Sequence, residues 1–372
     1  MSMIRKRSVA ALSESLVGPL LLAEDAVARL DERLRASPVR EAWVSRSHFH
    51  EACAARWIAG DLVHLEDLVL NDAAMDIRTP THELTRASAV LRAHRGIASH
   101  APGWALSATG LNALSGRNAS WLDDDAAQSS QRVEELVGAE AEAEAEQAFA
   151  DIDALLARSN RAIADARSPA PGRLSGLADL GLYDSERNDE ELLARWRERI
   201  DLERPPVLAA LDAWEAWVDL APLQTMSWLG PLLVAAVLRA GGKTQHHLAC
   251  VSLGLREARR AKGGSTLHGY AMAPPKVAML NAIKAAAEAG LQEHDRLMLA
   301  RTQLERFLTN RRSHSRLPGL VDLVLAKPLV TPQLVAKELK VTARGALDLI
   351  GALSPTLKEV TGRGRYRAWA VR

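Results

Sequence analysis

Apolar residues recur at the three- and four-residue spacing of a helix through most of this chain. The clearest stretches are residues 10–34, 40–59 and 81–94. A second helical block runs from about 190 to 308, and within it Gly241 and Gly242 close the apolar helix 227–240. Residues 96–119 are richer in Gly, Ser and Asn and are expected to form loops or a short hairpin. Residues 123–153 hold eleven acidic residues and one basic residue, including the AEAEAEAE run at 139–146. That composition marks an exposed helix or linker, and the breaker at 168–171 with Gly172 follows it.

The last 56 residues read element by element as a winged helix-turn-helix with a β-hairpin wing. An apolar helix 319–326 is stopped by Pro328. Thr331 then caps a second helix, with Pro332 at its first position, running through Leu339. After the turn of Lys340 and Val341, Thr342 caps a third helix. Its expected inner face is Ala343, Ala346, Leu347, Ile350 and Leu353, which leaves Arg344, Gly345 and Asp348 on the face that a helix-turn-helix turns to the major groove. Residues 357–360 and 366–371 read as strands around a turn at 361–364. The wing carries Arg363, Arg365 and Arg367 at alternate positions, so the three guanidinium groups share a face suited to phosphates or the minor groove.

Charge sharpens this picture. The whole chain has a net charge of +1, but residues 311–372 hold twelve Lys or Arg against four Asp or Glu, a net of +8 that leaves −7 for the rest. A basic module on an acidic body is the electrostatic signature of nucleic-acid binding, here of double-stranded DNA. Arg344 is the expected base reader, with Thr342, Asp348, Arg363, Arg365 and Arg367 completing the interface. Asp348 either accepts from a cytosine amino group or orients Arg344. Specific reading usually needs two half-sites, so a homodimer is expected, with the helical body supplying dimerisation or sensing of a small-molecule effector.

A length of 372 residues implies more than one domain. The expected divisions are an N-terminal helical block 1–122, an acidic helix or linker 123–172, a helical block 173–316 and the winged helix 317–372. Richness in Ala, Leu, Arg and Glu, with an aromatic share of only 4%, favours a mostly α fold. No run approaches the ~18 apolar residues of a membrane span and no signal-peptide order is visible, so the chain is read as cytoplasmic with no membrane partner. Cys53 and Cys250 are read as core thiols.

Two stretches resemble the Fic family of AMP-transferring enzymes. EACAARWIAG at 51–60, followed by LEDLVL at 65–70, is similar to the family's inhibitory-helix region. The family's Ser or Thr and inhibitory Glu fall at Ala55 and Ala59. WLGPLLVAAVLRAGG at 228–242, followed by LACVSLGLREARR, is similar to the helix after the Fic catalytic loop and the segment beyond it. In that register the loop His-Pro-Phe, any residue, Asp or Glu, Gly-Asn-Gly-Arg should occupy 220–228, and it is absent. The base falls at Leu220, the acidic metal ligand at Gln224, the anion-holding turn at Thr225, Met226 and Ser227, and the phosphate-clamping Arg at Trp228. Leu has no proton to exchange, so the resemblance implies a catalytically dead, pseudoenzyme body with no catalytic residue, cofactor or metal. The layout is also similar to a rhizobial family of helix-turn-helix proteins.

Other constellations carry less. His48, His50, Glu51 and His64 lack the spacing of a zinc motif and are expected on a solvated helix surface. Gly242-Lys243-Thr244 follows a helix and lacks the first glycine of a phosphate loop. Trp214, Trp217 and Trp228 are expected in the core. The reading favoured by the sequence is a DNA-binding regulator of transcription or of a plasmid or mobile element. The alternatives are a divergent nucleotidyl or phosphoryl transferase and an adaptor that sets its winged helix on a protein.

Overall fold

Caps and prolines set helix starts that hydrophobic spacing leaves open by several residues. The computed structural model describes residues 14–73, 81–116, 188–261, 276–306, 308, 316–353, 356–360 and 367–371; the acidic stretch 123–153 and the wing residues Arg363 and Arg365 lie outside them. The body contributes α1 (Glu14–Arg35), α2 (Arg40–Ile58), α3 (Leu65–Asp72), α4 (His82–Ser99) and α5 (Ala108–Leu114). After the undescribed stretch come α6 (Asp189–Glu198), α7 (Pro206–Leu220), α8 (Leu229–Ala240), α9 (Val251–Ala261) and α10 (Lys276–Glu305). Thr81 starts α4 by accepting from Leu84 N, and Pro206 occupies the first turn of α7.

The chain divides into two units, one made of the residues up to Leu114 and from Leu192 onward, the other Ser115–Glu191. Only the first is described further. It brings the first and second helical blocks and the C-terminal module onto shared hydrophobic contacts.

A helix covered on all sides shows no amphipathic stripe, and α2 is that helix. Trp43, Phe49, Ala52, Ala54, Ala55 and Ile58 are all buried, and α4, α9 and α10 pack around them. Two glycines permit close approaches between these helices. A Cβ on Gly254 of α9 would lie 1.9 Å from the carbonyl oxygen of Ala282 on α10. One on Gly290 of α10 would press on Leu30 and Trp43, whose indole Nε1 instead donates to the Gly290 carbonyl at 2.8 Å. In α8 every residue from Leu229 to Leu238 is buried. Trp214, Trp217 and Trp228 are core residues, and Trp217 meets Trp196 edge to face at 5.7 Å.

The central helix also carries polar groups where a solvated surface was expected. His48 is buried, with Nδ1 at 2.7 Å from Nδ1 of the buried His94. Burial pushes His48 down to about 4 and His94 well below its ordinary value, so both rings are neutral, one donating and the other accepting. Glu51 is fully buried and accepts from the backbone N–H groups of Ser252 at 2.8 Å and Leu253 at 3.0 Å, capping α9 from outside its own chain segment. Burial pushes its carboxyl up to about 7 even against those two hydrogen bonds. Among the described residues no three His, Cys, Asp or Glu cluster as metal ligands, and no helix is long and apolar enough to cross a membrane.

Residues 96–116 differ from the expected loop or hairpin. α4 continues to Ser99, a 3-10 turn follows at Trp104–Leu106, and Ser107 then accepts from Gly110 N at 3.0 Å at the start of α5. Leu106, Leu111 and Leu114 fill the core beneath. The polar composition here belongs to caps and tight turns, which suit helix ends as well as loops. Lys243 pairs with Glu24 and Thr244 is fully buried, so that segment is structural.

Candidate nucleic-acid interface

The C-terminal module folds as α11 (Leu317–Ala326), α12 (Pro332–Leu339) and α13 (Ala343–Ala352), followed by strands β1 (Leu357–Glu359) and β2 (Trp369–Val371). Thr331 Oγ1 accepts from Leu334 N at 3.2 Å and Thr342 Oγ1 from Gly345 N at 3.1 Å, so both expected caps start their helices. The first helix begins two residues before the expected Gly319, with Pro318 in its first turn. The strands pair antiparallel in the register Leu357 with Val371 and Glu359 with Trp369. Val330 adds a third pairing that the sequence did not reveal, exchanging two backbone hydrogen bonds of 2.8 and 2.9 Å with Trp369. This bridge ties the start of the helix-turn-helix to the root of the wing.

The third helix is oriented by Ala346, Ile350 and Leu353, which are buried, with Leu349 half-buried beside them. Arg344 and Asp348 are exposed on its outer side, as expected, with Thr342 exposed at its start. Two residues expected inside are outside. Ala343 is exposed, and Leu347 is 44% exposed between Arg344 and Asp348. The outer face is therefore cationic, apolar and anionic in turn, a set that can contact a guanine edge, a thymine methyl and a cytosine amino group.

The turn before this helix holds Lys340 in the left-handed conformation, φ 53°, where glycine is the usual residue. Its side chain is exposed. In the wing, Arg367 donates from Nε to Glu359 Oε2 at 2.9 Å, with Nη2 closer still, and its guanidinium lies 5.0 Å from the Trp369 ring centroid. Those contacts push Glu359 down and Arg367 up. The cation expected to face phosphate is thus already paired across the hairpin.

The opposite side of the module is docked on the body. Arg46 of α2, only 2% exposed, donates from Nη1 to the carbonyl oxygens of Lys327 at 2.7 Å and Leu325 at 3.5 Å, and from Nε to Glu293 of α10 at 2.6 Å. Glu293 also accepts two 2.8 Å bonds from Arg296, which reaches Val371 O at 3.2 Å. Lys327 stands 3.5 Å from Asp72 and 5.3 Å from the Phe49 ring centroid, and Lys337 donates to Ala73 O at 3.1 Å. Two of the module's basic residues therefore serve docking, while the outer face of α13 stays open.

Two family models match the chain. One, described as Protein of unknown function (DUF1612), covers residues 182–309, and the other, described as HTH DNA binding domain, covers residues 317–371. The chain is also similar to Uncharacterized protein y4cF of Sinorhizobium fredii (strain NBRC 101917 / NGR234), with 43% identity over 380 residues, which is 96% of this chain and 97% of that protein. The C-terminal module is a helix-turn-helix domain of the DNA-binding kind.

Proposed function

We propose, from the premise that this chain belongs to the same family as protein y4cF, that it is a DNA-binding regulator of transcription or of a plasmid or mobile element, acting in the cytoplasm as a homodimer. The observation that carries this reading is the open face of α13. Thr342 caps the helix, Arg344, Leu347 and Asp348 all point outward, and the docking contacts to the body lie elsewhere on the module. A helix presented in this way enters a major groove, and exposed Lys340 in the turn before it meets a flanking phosphate. Two copies would set their recognition helices about 34 Å apart on one side of the duplex.

The body, in this proposal, is a scaffold that keeps Fic-like helices without their chemistry. What supports it is the stretch 220–228, where Leu223 and Trp228 are buried and a 3-10 turn spans Gln224–Met226. Thr225 is exposed and Met226 and Ser227 are half-buried at the place of the anion-holding turn, and buried Trp228 stands where the phosphate-clamping Arg would be. The stretch likened to the inhibitory helix runs from α2, where Ala55 is fully buried, through its C-cap Ala59 and on to α3.

Recovery of genomic fragments bound to the full-length protein, followed by sequencing, tests the reading. A recurrent two-fold site is the expected result, and even coverage of the genome would overturn it. Exposed Leu347 also favours a second reading, an adaptor that sets this face on a protein groove.

A further inference from the structure

The outer row of α13 runs Ala343, Arg344, Leu347, Asp348 and Gly351, all of them exposed. Leu347 is the one large apolar side chain in it. One turn before the leucine stands Ala343, and one turn after it Gly351, where an added Cβ would meet nothing within 4 Å. Leu347 is therefore a lone knob between small neighbours. A helix that lies in a protein groove uses a row of apolar anchors at i, i+3 or i+4 and i+7, and α13 has no second anchor on this face. A single knob with small flanks fits instead an isolated apolar spot that the helix backbone can approach closely.

The charges beside the knob indicate where that spot lies. Arg344 and Asp348 are four residues apart, the spacing at which Lys284 pairs with Glu288 and Arg301 with Glu305 on α10. Arg344 and Asp348 make no such pair, and neither side chain has a hydrogen-bond or ion-pair partner among the described residues. Both polar heads are open to base edges on either side of the leucine. Along the helix axis Arg344 and Leu347 are about 4.5 Å apart, against about 3.4 Å for one base step of DNA. The apolar spot that a major groove offers at that spacing is the 5-methyl group of a pyrimidine, present on thymine and 5-methylcytosine and absent from uracil and cytosine.

We propose that Leu347 reads the 5-methyl group of a pyrimidine in the base pair next to the one that Arg344 reads, so that the protein discriminates against the same base without its methyl. This role rests on the DNA-binding reading above and adds a chemical specificity to it. Methylation of a cytosine at that place strengthens binding with no change of base sequence.

The test uses the full-length protein and duplexes carrying the two-fold site recovered from genomic fragments. Each thymine of a half-site is replaced in turn by deoxyuridine and each cytosine by 5-methylcytosine, exchanges that remove or add the methyl group alone. One position, adjoining the base pair whose identity ceases to matter in Arg344→Ala, should respond, with binding about fourfold weaker on loss of the methyl or about fourfold tighter on its gain, the worth of one buried methyl group. Duplexes with thymine and with 5-methylcytosine at that position then show which base is the better source of the methyl. Leu347→Ala should bind the methylated and unmethylated duplexes equally, and Leu347→Met, which keeps an apolar side chain of similar reach, should preserve the difference; thermal melts check that both variants are folded. Specific binding that no methyl exchange alters, or a response that persists in folded Leu347→Ala protein, overturns the inference and leaves the DNA-binding reading standing. Absence of specific binding to any duplex overturns both.

Discussion

Arg46 Nη1 lies 2.7 Å from the carbonyl oxygen of Lys327, which joins the central helix of the body to the link between the first two helices of the winged module. The two residues are 281 positions apart in sequence. Because Arg46 is almost fully buried, its charge is tolerated only through Glu293 and the two carbonyls it satisfies. Removing it leaves a carboxylate and two backbone acceptors without this donor.

Arg46→Ala is therefore expected to destabilise the protein by about 3–5 kcal/mol. Urea unfolding followed by Trp fluorescence measures this, and hydrogen exchange over 317–371 should rise more than over α8. A loss below about 1 kcal/mol would mean that the module is held by its apolar contacts alone.

Lys340 makes a separable prediction. A lysine at φ 53° is strained, and glycine there is not. Lys340→Gly should raise stability by about 0.5–1 kcal/mol, the strain relieved less the extra chain entropy of glycine. The same variant should bind DNA more weakly and lower the salt slope by about 0.9, one phosphate contact. Gain of stability without loss of DNA affinity would remove Lys340 from the interface.

These two sites also divide what the sequence reveals from what it does not. The caps Thr331 and Thr342 and the length of α12 were legible because a cap is a local event over three residues. The facing of α13 was legible only in part, since Ala343 and Leu347 form one apolar row and Ala346, Ile350 and Leu353 another. The neighbouring helices decide which row is covered. His48, His50 and Glu51 gave no signal of burial, because a helix enclosed on all sides has no polar face against which to read them. Arg46 and Glu293 meet only through the tertiary fold, and no spacing announces a pair 247 residues apart.

Acid should expose a different anchor. Asp31 of α1 accepts from the backbone N–H groups of Gln245 and His246, both at 2.9 Å, and from Nδ1 of His246 and His247 at 2.9 and 3.0 Å. Burial raises its carboxyl, but the hydrogen bonds from His247 and His246 outweigh burial and hold it well below the usual carboxylate range. A carboxyl lowered in the folded state stabilises above its unfolded value, 3.8, and loses that contribution as pH falls towards the folded value. The Tm difference between wild type and Asp31→Asn should be full at neutral pH and shrink below pH 3.8. A difference independent of pH would show that the carboxylate charge is irrelevant.

AMP transfer should be absent. In the Fic-like register proposed for the body, Leu220 offers no base and Gln224 no acidic metal ligand. Labelled ATP incubated with the protein and a cell lysate should leave no adduct. Labelling that disappears on substitution within 220–228 would restore the enzyme reading.

The last prediction separates base reading from phosphate contact. If Arg344 reads a base edge as proposed, Arg344→Ala should cost about 1–3 kcal/mol on the cognate duplex and little on a scrambled one. Arg363→Ala and Arg365→Ala should weaken both duplexes alike and lower the salt slope by about 0.9 each if they meet phosphate, and should reduce a preference for A·T-rich flanks if one enters the minor groove. Arg367 should behave differently from both. Its guanidinium is held by Glu359 and lies over Trp369, so Arg367→Ala removes a cation and also leaves the Glu359 carboxylate exposed to DNA phosphates. Glu359→Gln releases the arginine and should strengthen binding to both duplexes while steepening the salt slope. Salt-titrated anisotropy on cognate and scrambled duplexes measures all five variants together. Weaker binding by Glu359→Gln would show that the pair shapes the wing rather than restraining its charge. Unchanged affinity in Arg344→Ala, Arg363→Ala and Arg365→Ala would take this face off DNA and leave exposed Leu347 to a protein partner.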